Sequence, residues 1–296
     1  SGNFEELSTN YYDLVNLLPN ILGNNLPEKL REIGSANLSG FLSATPSKVV
    51  TNSMITTQLG NANLNLTLDD LNDSDFARYK GNVQFNQFNL GRLLGNSSLG
   101  KATFNLDVDG IGFTQATLNT RLEGTIKKLR FNGYTYTNIE VLGVLDNPYF
   151  NGKLVSKDPN FQFEFNGLAD VSRTQNVYDF KASVAYADLN ALNFVRRDSI
   201  AVMKGDIVMN MEGNNLNDAR GELSLNNFSY QNHEELFEFE ELKVISSFDN
   251  EIRKIQINSP DVISGEVEGI FNINEVPALF QNAVGSLYTN YKPIAI

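Results

Sequence analysis

The sequence predicts an all-β protein with a small helical start, and three observations carry that prediction. From Asn37 onward apolar residues fall at every second position, as in "NANLNLTLDDL" and "ATFNLDVDG", and residues two apart in a strand share a face. Each such run is bounded by Gly, Asn, Asp or Pro, the residues of turns. No long stretch of helical period interrupts the runs, so βαβ units are not expected.

The elements follow in order. "FEELSTNYYDLVNLLPN" places Leu7, Tyr11, Leu14, Leu17 and Leu18 at helical spacing, with Pro19 as a break. A second short helix is expected with Pro27 in its first turn and Gly34 as its C-cap. Residues 1–36 are thus read as a helical segment and 37–296 as one repetitive β domain with no internal linker. Ser1-Gly2, with no Met before it, reads as a tag remnant on an excised fragment. The strands offer Leu64 and Leu66, Val83 and Phe85, Phe104 and Leu106, then Leu118 and Leu122. Phe161, Phe163 and Phe165 follow, then Ile207, Met209 and Met211, Leu223 and Leu225, Ile255 and Ile257. Strand starts recur as a glycine followed by alternation, at Gly81, Gly100, Gly124, Gly205, Gly221 and Gly265, with uneven spacing that excludes a fixed-period solenoid. Three stretches, "FNLGRLLG", "ADLNALNF" and "NINEVPALF", read as capped helical turns between strands.

Composition removes several function classes. A net charge of −12 over 296 residues argues against nucleic acid, which needs a basic footprint, and against adhesion to an anionic membrane surface. With no cysteine, disulfides, thiolate metal sites and a cysteine nucleophile are excluded. No apolar run approaches the roughly 20 residues of a membrane-spanning helix.

Little in the sequence points to catalysis. His233 stands beside Glu234 and Glu235 as a general-base candidate, but no nucleophile or orienting partner accompanies it, and a turn residue in an acidic hairpin is the preferred reading. Asp69, Asp70, Asp73 and Asp75 cluster without the order of a calcium loop. Asp107 and Asp109 share a strand face, the polar one. Tyr134, Tyr136 and Tyr230 suggest an aromatic platform, but tyrosines are common in strands for packing alone. No enzyme activity, cofactor or metal is expected.

The positive signal is one apolar face per strand. Such faces close on each other in a sandwich, turn outward in a membrane barrel, or line an open trough that holds acyl chains. Absent Trp girdles count against the barrel. Alternation alone does not separate the sandwich from the trough.

The run "YKGNVQFNQFNLGRLLGNSSLGKATFNLDVDGIGF" (79–113), "LEGTIKKLRFNGYTYTNIEVLGVLDNPYFNGKLVSKDPNFQFEFNGLADVS" (122–172) and later "ADLNALNF", "GNNLNDARGELSLNNFSY" and "INSPDVISGEVEGIFNI" resemble the TamB translocation-and-assembly family of the Bacteroidota. That family belongs with the AsmA-like proteins, similar to bridge-like lipid-transfer proteins. The resemblance implies a long, curled antiparallel sheet forming an open hydrophobic groove, a shape termed a β-taco. It implies a periplasmic location in a protein anchored to the inner membrane, phospholipid movement in outer-membrane biogenesis, and an Omp85-type barrel partner. The chain is then a fragment without the family's anchor or its barrel-contacting region. On this reading acyl chains lie along Leu64, Leu66, Phe85, Phe104, Leu106, Leu118, Phe161, Phe163, Phe165, Ile207, Met209, Leu223, Leu225 and Ile257, a list assigned by face. Competing readings are a scaffold that adds nascent barrel strands to its edges and a closed sandwich module. An exposed trough also favours a homodimer.

Overall fold

The structure, a computed structural model, describes residues 1–13, 28–71, 73, 75–113, 116–146, 148–171, 174–285 and 293. Its strands are β1 (Gly2–Asn10), β2 (Ser35–Ala44), β3 (Lys48–Thr57), β4 (Gly60–Asp69), β5 (Arg78–Asn89) and β6 (Leu99–Ile111). They continue as β7 (Asn119–Phe131), β8 (Tyr134–Asp146), β9 (Tyr149–Asp158), β10 (Phe161–Asp170) and β11 (Val177–Asp188). The last are β12 (Val202–Glu212), β13 (Arg220–Gln231), β14 (Leu236–Asp249), β15 (Ile252–Asn258) and β16 (Ser264–Gly269). All sixteen form one sheet in chain order, and every neighbouring pair is antiparallel. The fold is therefore a meander, as short polar connections between alternating runs require. The sheet is curled and is not closed into a barrel: β1 and β16 are its two edges.

Residues 2–10, expected as part of a helical segment, form β1. The misreading has a physical cause. Of the residues at helical spacing, Leu7 lies in β1 and Tyr11 in the turn that follows it, and the β1–β2 register slips between Phe4 and Leu7, so an extra residue hides the alternation of the strand. The Asn10 side chain then accepts from the backbone N–H groups of Tyr12 and Asp13 at 2.9 and 3.0 Å and starts a helical turn at residues 11–13. Leu14, Leu17, Leu18, Pro19 and Pro27 lie outside the described residues. A 3-10 helix at Glu28–Ile33 precedes Gly34, whose φ of +69° ends it.

The three stretches expected as capped turns take that form. Asn89 accepts from Arg92 N–H and caps α1 (Leu90–Leu94), which Gly95 ends in the left-handed region. Asp188 accepts from the N–H groups of Asn190 and Ala191 at 3.1 and 3.0 Å. Asn272 and Glu275 form a capping box before α2 (Val276–Gly285). Among the described residues no helix is long and apolar enough to cross a membrane.

Of the recurrent glycines, Gly100, Gly221 and Gly265 are each the second residue of a strand, as expected, whereas Gly81, Gly124 and Gly205 lie further inside theirs. Gly81 sits within β5 with φ +143°, and a Cβ there would lie 2.0 Å from the carbonyl oxygen of Asn65 on β4. Gly167 of β10 has φ +139° and would meet the Asp179 carbonyl at 2.3 Å. Only glycine adopts such backbone conformations at this closeness, so these strands bend where no side chain stands.

Candidate functional site: one apolar face

Register decides what each alternating run faces. Phe163 lies opposite Ser156 and Val184, and Phe165 opposite Leu154 and Ala182; Ala182 in turn opposes Ile207, and Phe180 opposes Met209. Continuing outward, Ile207 and Met209 oppose Leu225 and Leu223, these oppose Leu242 and Val244, and Val244 opposes Ile257. In the other direction Leu154 opposes Val141, Val141 opposes Gly124, Gly124 opposes Leu106 and Ile126 opposes Phe104. Phe104 and Leu106 oppose Phe85 and Val83, and Val83 and Gly81 oppose Leu64 and Leu66. Directly opposed residues of antiparallel strands point to the same side of the sheet. Leu64, Leu66, Phe85, Phe104, Leu106, Phe161, Phe163, Phe165, Ile207, Met209, Leu223, Leu225 and Ile257 therefore share one face. Leu118 does not belong to the ladder: it precedes β7, half-buried in the β6–β7 connection.

Aromatic rings tile this face. Phe161 and Phe163 stack at 4.8 Å, Phe165 and Phe180 approach to 5.0 Å, and Tyr136 of β8 meets Phe161 of β10 edge-on at 6.0 Å, two strands away. A second group joins Phe85 to Phe88 at 4.2 Å and to Phe104 at 4.7 Å, and a third stacks Phe228 on Phe239 at 5.0 Å. The face is apolar from β4 to β15. On β3 it turns polar, where the Thr51 and Ser53 hydroxyls bond each other at 2.8 Å and Ser53 stands 2.9 Å from the Phe41 carbonyl that it can donate to.

Among the described residues the extensive contacts between strands are those between sequence neighbours in the one sheet. Phe165, Leu106 and Val141 are buried, but Leu64, Leu66, Phe85, Phe104, Phe161, Phe163, Ile207, Met209, Leu223 and Leu225 remain half-buried. The accessible surface of 17710 Å² exceeds the about 12,500 Å² of a compact monomer of 32.9 kDa. The sixteen strands make one continuous sheet rather than two separate ones.

The face is bridged at two places, one at each end of the strands. After β11, Leu192 is fully buried in a cluster with Tyr136, Val184 and Ala187, and Asn193 Nδ2 donates to Asn132 O at 3.3 Å in the β7–β8 turn. Beneath it Asp158, wholly buried, accepts from Tyr134 Oη at 2.5 Å, from Thr137 N and Oγ1 at 2.8 Å each, and from Asn160 N at 2.9 Å. Burial, and then the Asp158 hydrogen bond, push the Tyr134 phenol up to about 12. At the opposite strand end the buried Arg253 spans from β15 to the β12–β13 loop. Its guanidinium donates to Ser246 Oγ at 3.1 and 3.2 Å and to the carbonyls of Asn217 and Ala219 at 3.3 Å. Burial lowers its pKa, against the opposing charge of Asp218.

The residues singled out for chemistry sit elsewhere. His233 lies in the β13–β14 turn, with Nδ1 3.2 Å from Asp198 Oδ1 and Nε2 3.4 Å from Glu234. Asp69 pairs with Lys48 at 3.3 Å, Asp70 with Arg78 at 3.6 Å, and Asp73 accepts from Asp75 N–H. Asp109 pairs with Lys80 at 2.7 Å and Asp107 accepts from Asn82, both on the polar face. Tyr134 and Tyr136 belong to the apolar cluster, not to an open platform. Among the described residues no group of three or more His, Asp or Glu is placed to hold a metal.

Sequence reading missed Phe88 and Phe228. Strict alternation from Phe85 puts Gln87 on the apolar face, but Gln87 adopts φ +53° and the β5–β6 register shifts between Phe85 and Phe88, which brings Phe88 there instead, buried. Asn227, at φ +48°, does the same for Phe228. Polar residues that tolerate the left-handed region between two aromatics are the available signal.

In comparisons with known proteins, no family model, no curated protein and no solved structure matches this chain.

Proposed function

We propose that this chain is a passive lipid carrier: phospholipid acyl chains lie along the apolar face while head groups stay in water. The observation that supports this most is a partly exposed aromatic and aliphatic face running from β4 to β15 along one continuous sheet. Each buried CH₂ contributes about 0.8 kcal/mol, so several methylenes hold a chain with no polar contact, and a lining without directional groups lets it slide. In line with the TamB-like resemblance, the carrier is a periplasmic segment between inner and outer membranes, serving outer-membrane biogenesis with an Omp85-type barrel as partner. No catalytic step or cofactor enters.

Native mass spectrometry of the purified chain, followed by lipid extraction, tests the proposal. Mixed-chain phospholipid carried at less than one equivalent, and uptake of a fluorescent fatty acid weakened about tenfold in Phe163→Asp by the loss of roughly two methylene contacts, are expected. A lipid-free chain that takes up no fatty acid would sink it. A second reading, assembly of barrel strands by edge addition, draws on the unpaired outer sides of β1 and β16. It is favoured instead if strand peptides, and not lipid, bind.

A further inference from the structure

The polar face carries a feature that the apolar face does not use. Where β5, α1, β6 and β7 meet at one strand end, a cavity of about 770 Å³ is lined by Arg92, Lys101, Lys128 and Arg130 together with Thr103 and Thr135, and by no carboxylate. In a chain of net charge −12 the local balance is reversed. Arg92 is matched by Glu32 at 3.1 Å outside the cavity lining, whereas Lys101, Lys128 and Arg130 make no ion pair among the described residues.

Elsewhere on this face several cations are paired. Lysines and arginines oppose carboxylates across neighbouring strands: Lys48 with Asp69, Lys80 with Asp109, Arg220 with Glu212. The hollow next to it, over β4 to β7, mixes Lys80 and Arg121 with Asp107, Asp109 and Glu123. At the cavity, by contrast, the register passes from Leu99–Phe131 to Ala102–Leu129, so Gly100 and Lys101 both oppose Arg130. Like charges placed directly opposite destabilise a sheet. The backbone is also shaped around the arginine: a Cβ at Gly100 would stand 2.9 Å from the Arg130 Cβ and Cδ, so the missing side chain leaves room for the guanidinium stem. Three exposed cations without an ion pair among the described residues thus stand beside two threonine hydroxyls in a hollow of ligand size, and an anion would neutralise them.

We propose that this cavity binds a phosphate-type oxyanion, with Arg130 as the bidentate donor, Lys101 and Lys128 as point charges and Thr103 or Thr135 as neutral donor. The same chemistry comes from a soluble phosphate ester or from the head group of an anionic lipid. The site lies on the face opposite the acyl-chain lining and does not rest on the lipid-carrier reading.

The test uses the whole chain with two probes: glycerol 3-phosphate by titration calorimetry, and phosphatidylcholine vesicles with and without phosphatidic acid by co-sedimentation. Binding of glycerol 3-phosphate identifies a soluble ester; binding only to vesicles that contain phosphatidic acid identifies a head group. In either case K101Q/K128Q/R130Q is expected to weaken binding at least tenfold, while K153Q/K181Q/K204Q, which removes the same charge elsewhere on the polar face, keeps it within twofold. The first triple variant is also expected to melt no lower than the parent, because it removes like-charge opposition. Failure of the parent to bind either probe, or equal loss in both triple variants, overturns the proposal.

Discussion

Asp158 shows how a single buried charge is held on this sheet. It has no exposed surface and accepts four hydrogen bonds, from Tyr134, Thr137 twice, and Asn160. Asp158→Ala leaves these donors without their acceptor and is expected to destabilise by about 1–3 kcal/mol in chemical denaturation, with Asp158→Asn milder. Its partner Tyr134 gives a pH signature. The phenol is raised from 10.0 to about 12, so the folded state favours the neutral form. That stability is complete below pH about 10, and declines as pH rises through the folded value near 12. Phenolate absorbance in an alkaline titration should show a late-ionising component, with Tyr79 and Tyr136 also raised by burial, and Tyr134→Phe should remove its latest part. A titration unchanged by that substitution would contradict the assignment.

At the scale of one strand, the glycines and the bulges set the shape of the apolar face. Gly81→Ala meets both a φ of +143° and a carbonyl 2.0 Å from the new Cβ, and is expected to cost about 2–4 kcal/mol. Gly265→Ala, where a Cβ would meet nothing within 4 Å and φ is unrestricted, is expected to be near neutral or slightly stabilising. Equal thermal shifts for the two would mean that Gly81 does not shape the strand. The bulge at Gln87 governs register in the same way: deleting Gln87 removes the extra residue and leaves Phe88 two positions after Phe85, on the same face by plain alternation, where it still meets Phe85, its partner in the 4.2 Å stack. The deletion should therefore keep Phe88 buried, with hydrogen exchange in β5 and β6 no faster than in the parent, and faster exchange there would show that the bulge itself is required.

For the whole molecule, a partly exposed apolar face has a consequence besides the lipid binding proposed above. An unoccupied trough of this extent favours burial against a second copy, so delipidated protein should show concentration-dependent dimerisation in sedimentation, reversed by adding fatty acid. Dimerisation that fatty acid leaves untouched would place the contact elsewhere, for instance on the open strand edges. Much of this architecture was legible in the sequence. Alternation and turn residues are local properties, and they determined the strands, the all-β class, the capped turns at Asn89, Asp188 and Asn272, and the common face of Leu64, Phe104, Phe163 and Ile207. Local pattern failed where one extra residue shifted the parity, at Phe4 to Leu7 and at Gln87, because a bulge looks like a change of period until the partner strand is known. Likewise the pairing that sets Lys101 and Arg130 against each other joins residues far apart in sequence. Above all, alternation says only that each strand has an apolar side. Whether those sides meet each other or remain open is fixed by long-range curvature and by the order of the strands, and these only the tertiary structure decided.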